Sequence, residues 1–167
     1  KISAVIITLN EEKNIERCLL SIINVVDEII VIDSNSTDQT ETICKKHNVR
    51  FIKKDFMGYS ETKNYGNSLA KHDYILSIDA DEALSDELRA SIEKIKASPE
   101  FNSYIVKRLT NYCGKWIRHC GWYPDKKIRL WKKGYGKWTG QLHETVSLKT
   151  NRTGFLEGDL LHYSYYT

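Results

Sequence analysis

No apolar run in the 167 residues approaches the ~20 needed to cross a bilayer. No stretch has the form of a signal peptide. The chain starts at Lys1 rather than Met and stops at "HYSYYT", so a piece of a longer protein is expected and the lack of an anchor says little about the whole. There is no G-x-G-x-x-G and no P-loop, which excludes the usual glycine-rich cradles for phosphate. The four cysteines, Cys18, Cys44, Cys113 and Cys120, include no C-x-x-C pair, which argues against a zinc site. Reduced thiols in a cytosolic setting are expected. Internal repeats, low-complexity segments and RNA-binding signatures are all missing.

What is present is globular. Hydrophobic residues make up 41% and charged residues 28%, enough for one ordinary domain with its own core. The net charge of +3 is unevenly spread: Lys107 to Lys137 is basic and interleaved with Trp116, Trp122, Tyr123, Trp131, Tyr135 and Trp138. That pattern suits a nucleic acid, an anionic membrane face or a phosphorylated ligand, or simply a solvated basic face with aromatic core anchors.

"AVIITL", "EIIVID", "VRFIKK" and "DYILSID" read as four strands whose continuous apolar runs suit a sheet covered on both faces. Helices are expected between them. Asn10 is expected to cap the first, with Ile15, Leu19, Ile22 and Ile23 on its buried side. Ser36-x-x-Gln39 has the form of a capping box for a helix over 38–47, and another helix is expected over 60–71. Ser85 should cap a helix carrying Leu88, Ile92 and Ile95 that ends before Pro99. Four strand–helix alternations predict an α/β fold with a parallel, doubly wound sheet. After Pro99 the rhythm breaks into a less regular, β-rich half with strands at "SYIVKRL" and "KKIRLW".

Ligands of open α/β sheets bind beyond the carboxyl ends of the strands. Thr8 and Asn10, then Asp33, then Asp79 and Asp81 all fall there. "YILSIDADE" runs an apolar strand into three carboxylates within four residues. Like charges so close need a cation, and residues i and i+2 of an extended chain share a side. Asp79 and Asp81 therefore suit a hard divalent ion, Mn²⁺ or Mg²⁺, carrying a diphosphate.

"VIITLNEEKNIERCLLSI", "DEIIVIDSNSTDQT" and "YILSIDADE" resemble the nucleotide-binding half of family 2 glycosyltransferases with the GT-A fold. "GWYPDKKIRLWKKG", "LHETV" and "LLHYSY" resemble its bacterial branch of lipopolysaccharide-core glucosyltransferases. The resemblance implies one domain, with residues 1–98 binding the nucleotide-sugar and 99–167 forming a truncated acceptor and catalytic half. It implies an inverting, metal-dependent transfer from a nucleotide-diphosphate sugar, with UDP expected, to a cell-envelope glycan or lipid-linked acceptor. It places Thr8, Asn10, Glu11 and Asp33 at base and ribose, with Asp33 accepting from uracil N3–H. It places Lys63 near the nucleotide, Asp79 at ribose or a metal-bound water, and Asp81 on the metal. Glu144 is the candidate general base and His143 its positioning neighbour or an acceptor contact. Arg129 suits a phosphate, and Trp122, Trp131 and Trp138 suit stacking on sugar rings. A histidine late in the chain, His162, is expected to complete the metal's coordination together with Asp79 and Asp81. No nucleic-acid partner is expected. The setting implied is cytoplasmic, at or near the inner face of the membrane. A sugar-nucleotide nucleotidyltransferase, an inactive fragment and a binding module with a dead nucleotide site are the competing readings.

Overall fold

The structure, a computed structural model, describes residues 1–141, 143–149 and 151–166. In chain order the elements are β1 (Ile2–Thr8), α1 (Ile15–Ile22), β2 (Glu28–Asp33), α2 (Thr40–Lys45), β3 (Arg50–Lys53), α3 (Tyr59–Ser68), β4 (Tyr74–Asp79), β5 (Glu82–Leu84) and α4 (Asp86–Ala97). The second half contributes β6 (Ser103–Tyr112), β7 (Lys115–Trp116), β8 (Asp125–Lys132), β9 (Gly136–Thr139), β10 (Thr145–Leu148) and β11 (Thr153–Tyr165).

The main sheet runs β3-β2-β1-β4-β8-β6-β11-β5, with β7 beside β6. Its first four strands are parallel, as the apolar runs predict. The β-rich half then continues the same sheet in mixed sense: β8 is antiparallel to both β4 and β6, while β11 is parallel to β6 and antiparallel to β5. Two cores lie on the two faces. Ala4, Ile6, Val31 and Ile78 pack under Ile15, Leu19 and Ile22 of α1 and Leu88 and Ile92 of α4. Val5, Ile30, Ile32 and Ile75 pack against Trp131 and Trp138 on the other face. Alternate residues of one strand thus serve different cores, so the strands show no polar face.

Two expected caps are wrong. Helix α1 begins only at Ile15, because residues 11–14 form a turn in which Glu11 O accepts from both Asn14 N and Ile15 N. Asn10 instead adopts a left-handed φ of 54° and its side chain accepts from Thr37 N at 2.8 Å. Ser36 caps no helix: its hydroxyl meets Asp33, and Asp38 takes the amides of Thr40 and Glu12. Ser85 caps α4 as expected, accepting from Leu88 N at 3.2 Å.

Helix α3 lies unusually close to the sheet at Gly66, where a Cβ would come within 2.5 Å of Val5 Cγ1. That approach brings Lys63, one turn earlier, over the carboxyl end of β4. The β9–β10 hairpin is clamped to α3 in turn. Asn64 exchanges two hydrogen bonds with the Trp138 backbone, at 2.9 and 3.0 Å, and Ser60 Oγ donates to Gly140 O at 2.6 Å. On the opposite side, Gly158 (φ 88°) makes a bulge in β11 pressed against the start of α4, which sets the register that places His162 opposite Glu82 and Thr110.

Candidate active site

A cleft of about 410 Å³ opens at the carboxyl ends of β1, β2 and β4. Thr8, Glu11, Lys63, Asp79, Asp81, Glu144 and His162 all line it. They come from five separate places in the chain spanning 155 positions, and the folding described above is what gathers them.

The acid cluster at the end of β4 divides in two. Asp79 is held from both sides: Oδ1 by Lys63 Nζ at 2.9 Å and Oδ2 by Arg129 Nη2 at 3.0 Å. Burial opposes ionisation of Asp79, but Arg129 and Lys63 outweigh it and hold its carboxyl well below the usual carboxylate range. Glu82 is fully buried, accepts from Arg129 Nη2 at 2.7 Å, and receives the Asp79 amide at 3.0 Å. Burial, with Asp79 close by, pushes the Glu82 carboxyl up despite Arg129. Asp81 points the other way, into the cleft, where its Oδ2 lies 3.2 Å from His162 Nε2. The other imidazole nitrogen, Nδ1, lies 3.3 Å from Thr110 Oγ1. Glu11 stands nearby, its carboxyl raised by burial and then by the negative charges of Asp81, Asp38 and Asp79, against a hydrogen bond from Asn14.

Lys63 also reaches Glu144, Oε1 at 3.1 Å, and lies over the Trp138 ring at 4.3 Å. One ammonium thus fixes a carboxylate on β4 and another on the hairpin loop.

Several expectations need correction. Arg129 touches no ligand surface: it is 3% exposed and its charge is spent on Asp79 and Glu82. Trp131 is completely buried against Trp138 in the second core and has no face to offer a sugar. Trp138 is buried too, its Nε1 donating to Ser77 Oγ at 3.0 Å. Asp33 lies beneath the cleft, unexposed, with its oxygens engaged by the Ser36 hydroxyl and amide, so it offers nothing to a base. Asn10 is spent on the Thr37 amide and does not line the cleft. His143 is exposed outside the cleft, on a loop where Gly140 (φ 97°) packs against the His143 carbonyl. Asp79 is turned to its two cations, and among the described residues no three of His, Cys, Asp and Glu converge on one point. Asp81 and His162 remain as the pair that could hold an ion.

Sequence reasoning missed Phe56 and Tyr59, two half-exposed aromatics in edge contact on the cleft rim, and the structural role of Glu82. The segment "DFMGYS" carries the aromatics without any motif. Glu82 was visible only as part of the acid cluster.

This geometry now meets known proteins. Residues 3–146 match the family described as glycosyl transferase family 2. The chain belongs to glycosyl transferase family 2. It is 38% identical over 149 residues to an uncharacterised glycosyltransferase of Rickettsia typhi, covering 87% of this chain and 51% of that protein. It is 29% identical over 175 residues to the lipopolysaccharide core biosynthesis glycosyltransferase LpsC of Rhizobium meliloti, covering 97% and 63%. The chain spans only 37–60% of the length of the five rickettsial glycosyltransferases it matches. Among solved structures, Staphylococcus aureus TarS superposes with a TM-score of 0.70 at 18% identity, over 99% of this chain and 60% of that one. Glucosyl-3-phosphoglycerate synthase from Mycobacterium tuberculosis, in complex with Mn²⁺, UDP and glucosyl-3-phosphoglycerate, superposes with a TM-score of 0.54 at 27% identity, over 66% and 44%. The fold is GT-A, as the motifs imply. No helix of the described residues is long and apolar enough to cross a membrane.

Proposed function

We propose that this chain carries the donor-binding and catalytic centre of an inverting glycosyltransferase that takes a sugar from a UDP-sugar and delivers it to a cell-envelope glycan or lipid-linked acceptor. The observation that carries the reading is the Asp81–His162 pair, facing each other across 3.2 Å in the cleft that also holds Lys63, Asp79 and Glu144. The LpsC relative supports the envelope acceptor, and the Mn²⁺ and UDP of the mycobacterial synthase support the donor and the ion. The setting that follows is the cytoplasmic face of the membrane.

One carboxylate and one imidazole fit a divalent ion that keeps its remaining positions for water and phosphate oxygens, and the imidazole favours Mn²⁺ over Mg²⁺, which prefers oxygen. When bound there, the ion supplies Lewis-acid neutralisation of the leaving diphosphate. Were Nε2 to hold the ion, the His162 proton would sit on Nδ1 and Thr110 Oγ1 would accept its hydrogen bond, fixing the ring.

The chain's own residues do the rest. Thr8, Glu11 and Ser34 line the end of the cleft assigned to the nucleoside, with Tyr59 on its rim. Lys63 holds Asp79 and Glu144 in place. Glu144 takes the proton of the acceptor hydroxyl, whose oxygen forms the new bond to the anomeric carbon. The bond to the diphosphate breaks on the opposite face and its electron pair leaves with the phosphate oxygen, so the anomeric centre inverts.

Calorimetric titration of UDP with Mn²⁺, and then with EDTA, tests the reading. Binding that collapses on chelation, in wild type and not further in Asp81→Asn, is the expected result. UDP affinity indifferent to metal would remove the ion from the proposal.

A further inference from the structure

The cleft has a neighbour. A second cavity, about 420 Å³, lies beside it on the same sheet edge, and the two share one residue, His162. The imidazole is the partition. Its Nε2 faces Asp81 in the first cavity, and its Nδ1 meets Thr110, which lines the second.

The outer wall of the second cavity is aromatic and open. Tyr112, Trp122 and Tyr165 are 46%, 41% and 43% exposed. Their ring centroids lie 5.3–6.1 Å apart, so the three rings fix one another while leaving their outer faces in water. Trp122 and Tyr165 face the cavity. Exposed apolar surface gathered in this way marks a contact site more often than a scatter of single residues does.

The inner wall says what kind of contact. Arg108 donates from Nε and Nη2 to Asp125 Oδ2, at 2.9 and 2.8 Å, and its Nη1 lies 3.6 Å from buried Glu82. Lys127 takes the other Asp125 oxygen at 3.1 Å. Arg108 and Lys127 are thus engaged by carboxylates, and the lysine that lines the cavity, Lys126, lies over the Phe155 ring at 5.6 Å. A phosphate or a polyanion would find Lys126 alone without a carboxylate partner among the described lining residues and would meet the Asp125 carboxylate. A neutral, hydroxyl-rich ring fits better: its C–H face lies on an aromatic wall, and its hydroxyls find Asp125 and Thr110.

We propose that this second cavity is the subsite for the acceptor's terminal sugar, an uncharged pyranose stacked on Trp122 and Tyr165 and hydrogen-bonded to Asp125. The assignment rests on the glycosyl-transfer reading above. Adjacency supports it: the second cavity adjoins the cleft assigned to the donor, the two meeting at His162. On this assignment Trp122 takes the contact with sugar expected of it, whereas Trp131 and Trp138 are buried.

Saturation-transfer NMR on the full chain, with millimolar methyl glycosides of glucose, galactose and mannose as probes, tests it. At least one glycoside should show transfer strongest on one ring face, and the signal should persist when UDP and Mn²⁺ are added. Trp122→Ala should weaken it by about two- to tenfold, the scale of one aromatic contact, Trp122→Phe should restore most of it, and UDP affinity should be unchanged in both. Several results overturn the subsite: no transfer to any glycoside, a signal displaced by UDP, or one indifferent to Trp122→Ala. A stronger, UDP-resistant response to glucose 6-phosphate overturns the neutral ligand. Binding to anionic phospholipid vesicles that requires Trp122, without glycoside binding, assigns the aromatic wall to a membrane instead. Failure of UDP to bind wild type would break the donor reading and leave the glycoside result to stand on its own.

Discussion

Asp79 and Glu82 lie within two residues of Asp81, yet the two groups live in different physical surroundings. Asp79 and Glu82 belong to a partly buried chain of alternating charge, Lys63–Asp79–Arg129–Glu82–Arg108–Asp125, with successive contacts of 2.9, 3.0, 2.7, 3.6 and 2.8 Å. Among the described residues, Asp81 has no cation other than a protonatable imidazole. The difference comes from where the neighbours arrive. Strand β8 slides Arg129 under the turn from below, and α3 brings Lys63 from one side. Only the late strand β11 reaches Asp81, and it brings a metal-type ligand. A run of acids thus splits into a part that organises the floor and a part left open to a cation from solution.

The sharpest way to break this comparison is to remove the shared internal cation. Arg129→Ala leaves Glu82 buried without its main partner and strips one side from Asp79. Losing one partner of a buried pair costs about 3–5 kcal/mol, so urea unfolding should show a loss of that order. Asp81→Asn should stay within about 0.5 kcal/mol of wild type, as a substitution outside such a network does. Equal destabilisation by the two variants would mean that Asp81 belongs to the floor as well.

The second test moves from floor to chemistry. Glu144→Gln keeps the shape of the side chain at Lys63 but cannot take a proton. Single-turnover consumption of UDP-sugar should fall by about 10²–10⁴-fold, the usual contribution of a general base, while UDP binding is retained. Near wild-type turnover would remove Glu144 from the mechanism.

A third test asks whether the open pair is what holds the ion. Asp81→Asn and His162→Ala should each weaken Mn²⁺ in the UDP complex by at least about tenfold, since even outer-sphere partners contribute 10–100-fold. Uridine, which has no phosphate, should bind all variants alike, and exposed His143→Ala should leave the Mn²⁺ titration unchanged. Loss of Mn²⁺ on His143→Ala, with His162→Ala silent, would reverse the assignment of the two histidines.

The parallel half of the fold was legible in the sequence because each element there depends on near neighbours. "AVIITL" and "EIIVID" need only be apolar on both faces, and Ser85 needs only the amide of Leu88, three residues on. The caps at Asn10 and Ser36 were misread because each side chain is satisfied across the β1–β2 gap, 26 or 27 residues away, where local spacing carries no signal. The gathering of Lys63, Asp79, Asp81, Glu144 and His162 in one cleft could be expected from the family motifs. The fate of Arg129 and Trp131 could not. They alternate with Ile128 and Leu130 on one strand, and which residues of β8 are covered depends on α3, the β9–β10 hairpin and the acid turn all arriving together. Burial of an arginine is rare enough that a phosphate contact was the natural expectation, and the buried Glu82 that balances it was visible only as one of the three carboxylates of the acid cluster.

The smallest effect should be seen in acid, where the two floor carboxylates pull against each other. Asp79 has a folded pKa below its ordinary 3.8, so the folded state binds fewer protons there than the unfolded chain. Its contribution to stability is in full force above that ordinary value and is lost as pH falls through it towards the folded pKa. Glu82 is displaced the other way, above its ordinary 4.5, so the folded state holds its proton longer than the unfolded one and stability declines as pH rises from 4.5 through the folded pKa. In wild type the Asp79 contribution grows as pH rises towards 3.8 and the Glu82 contribution falls away above 4.5, so a plot of urea midpoint against pH should pass through a maximum between those two values. Glu82→Gln removes the second limb, so the midpoint should hold level above pH 4.5 where wild type declines. Asp79→Asn removes the other, so the low-pH limb should flatten or change sign. Parallel curves for all three proteins would show that the two carboxylates titrate in the folded state as they do in the unfolded chain, and the division of the acid turn would then be a matter of geometry without an energetic counterpart.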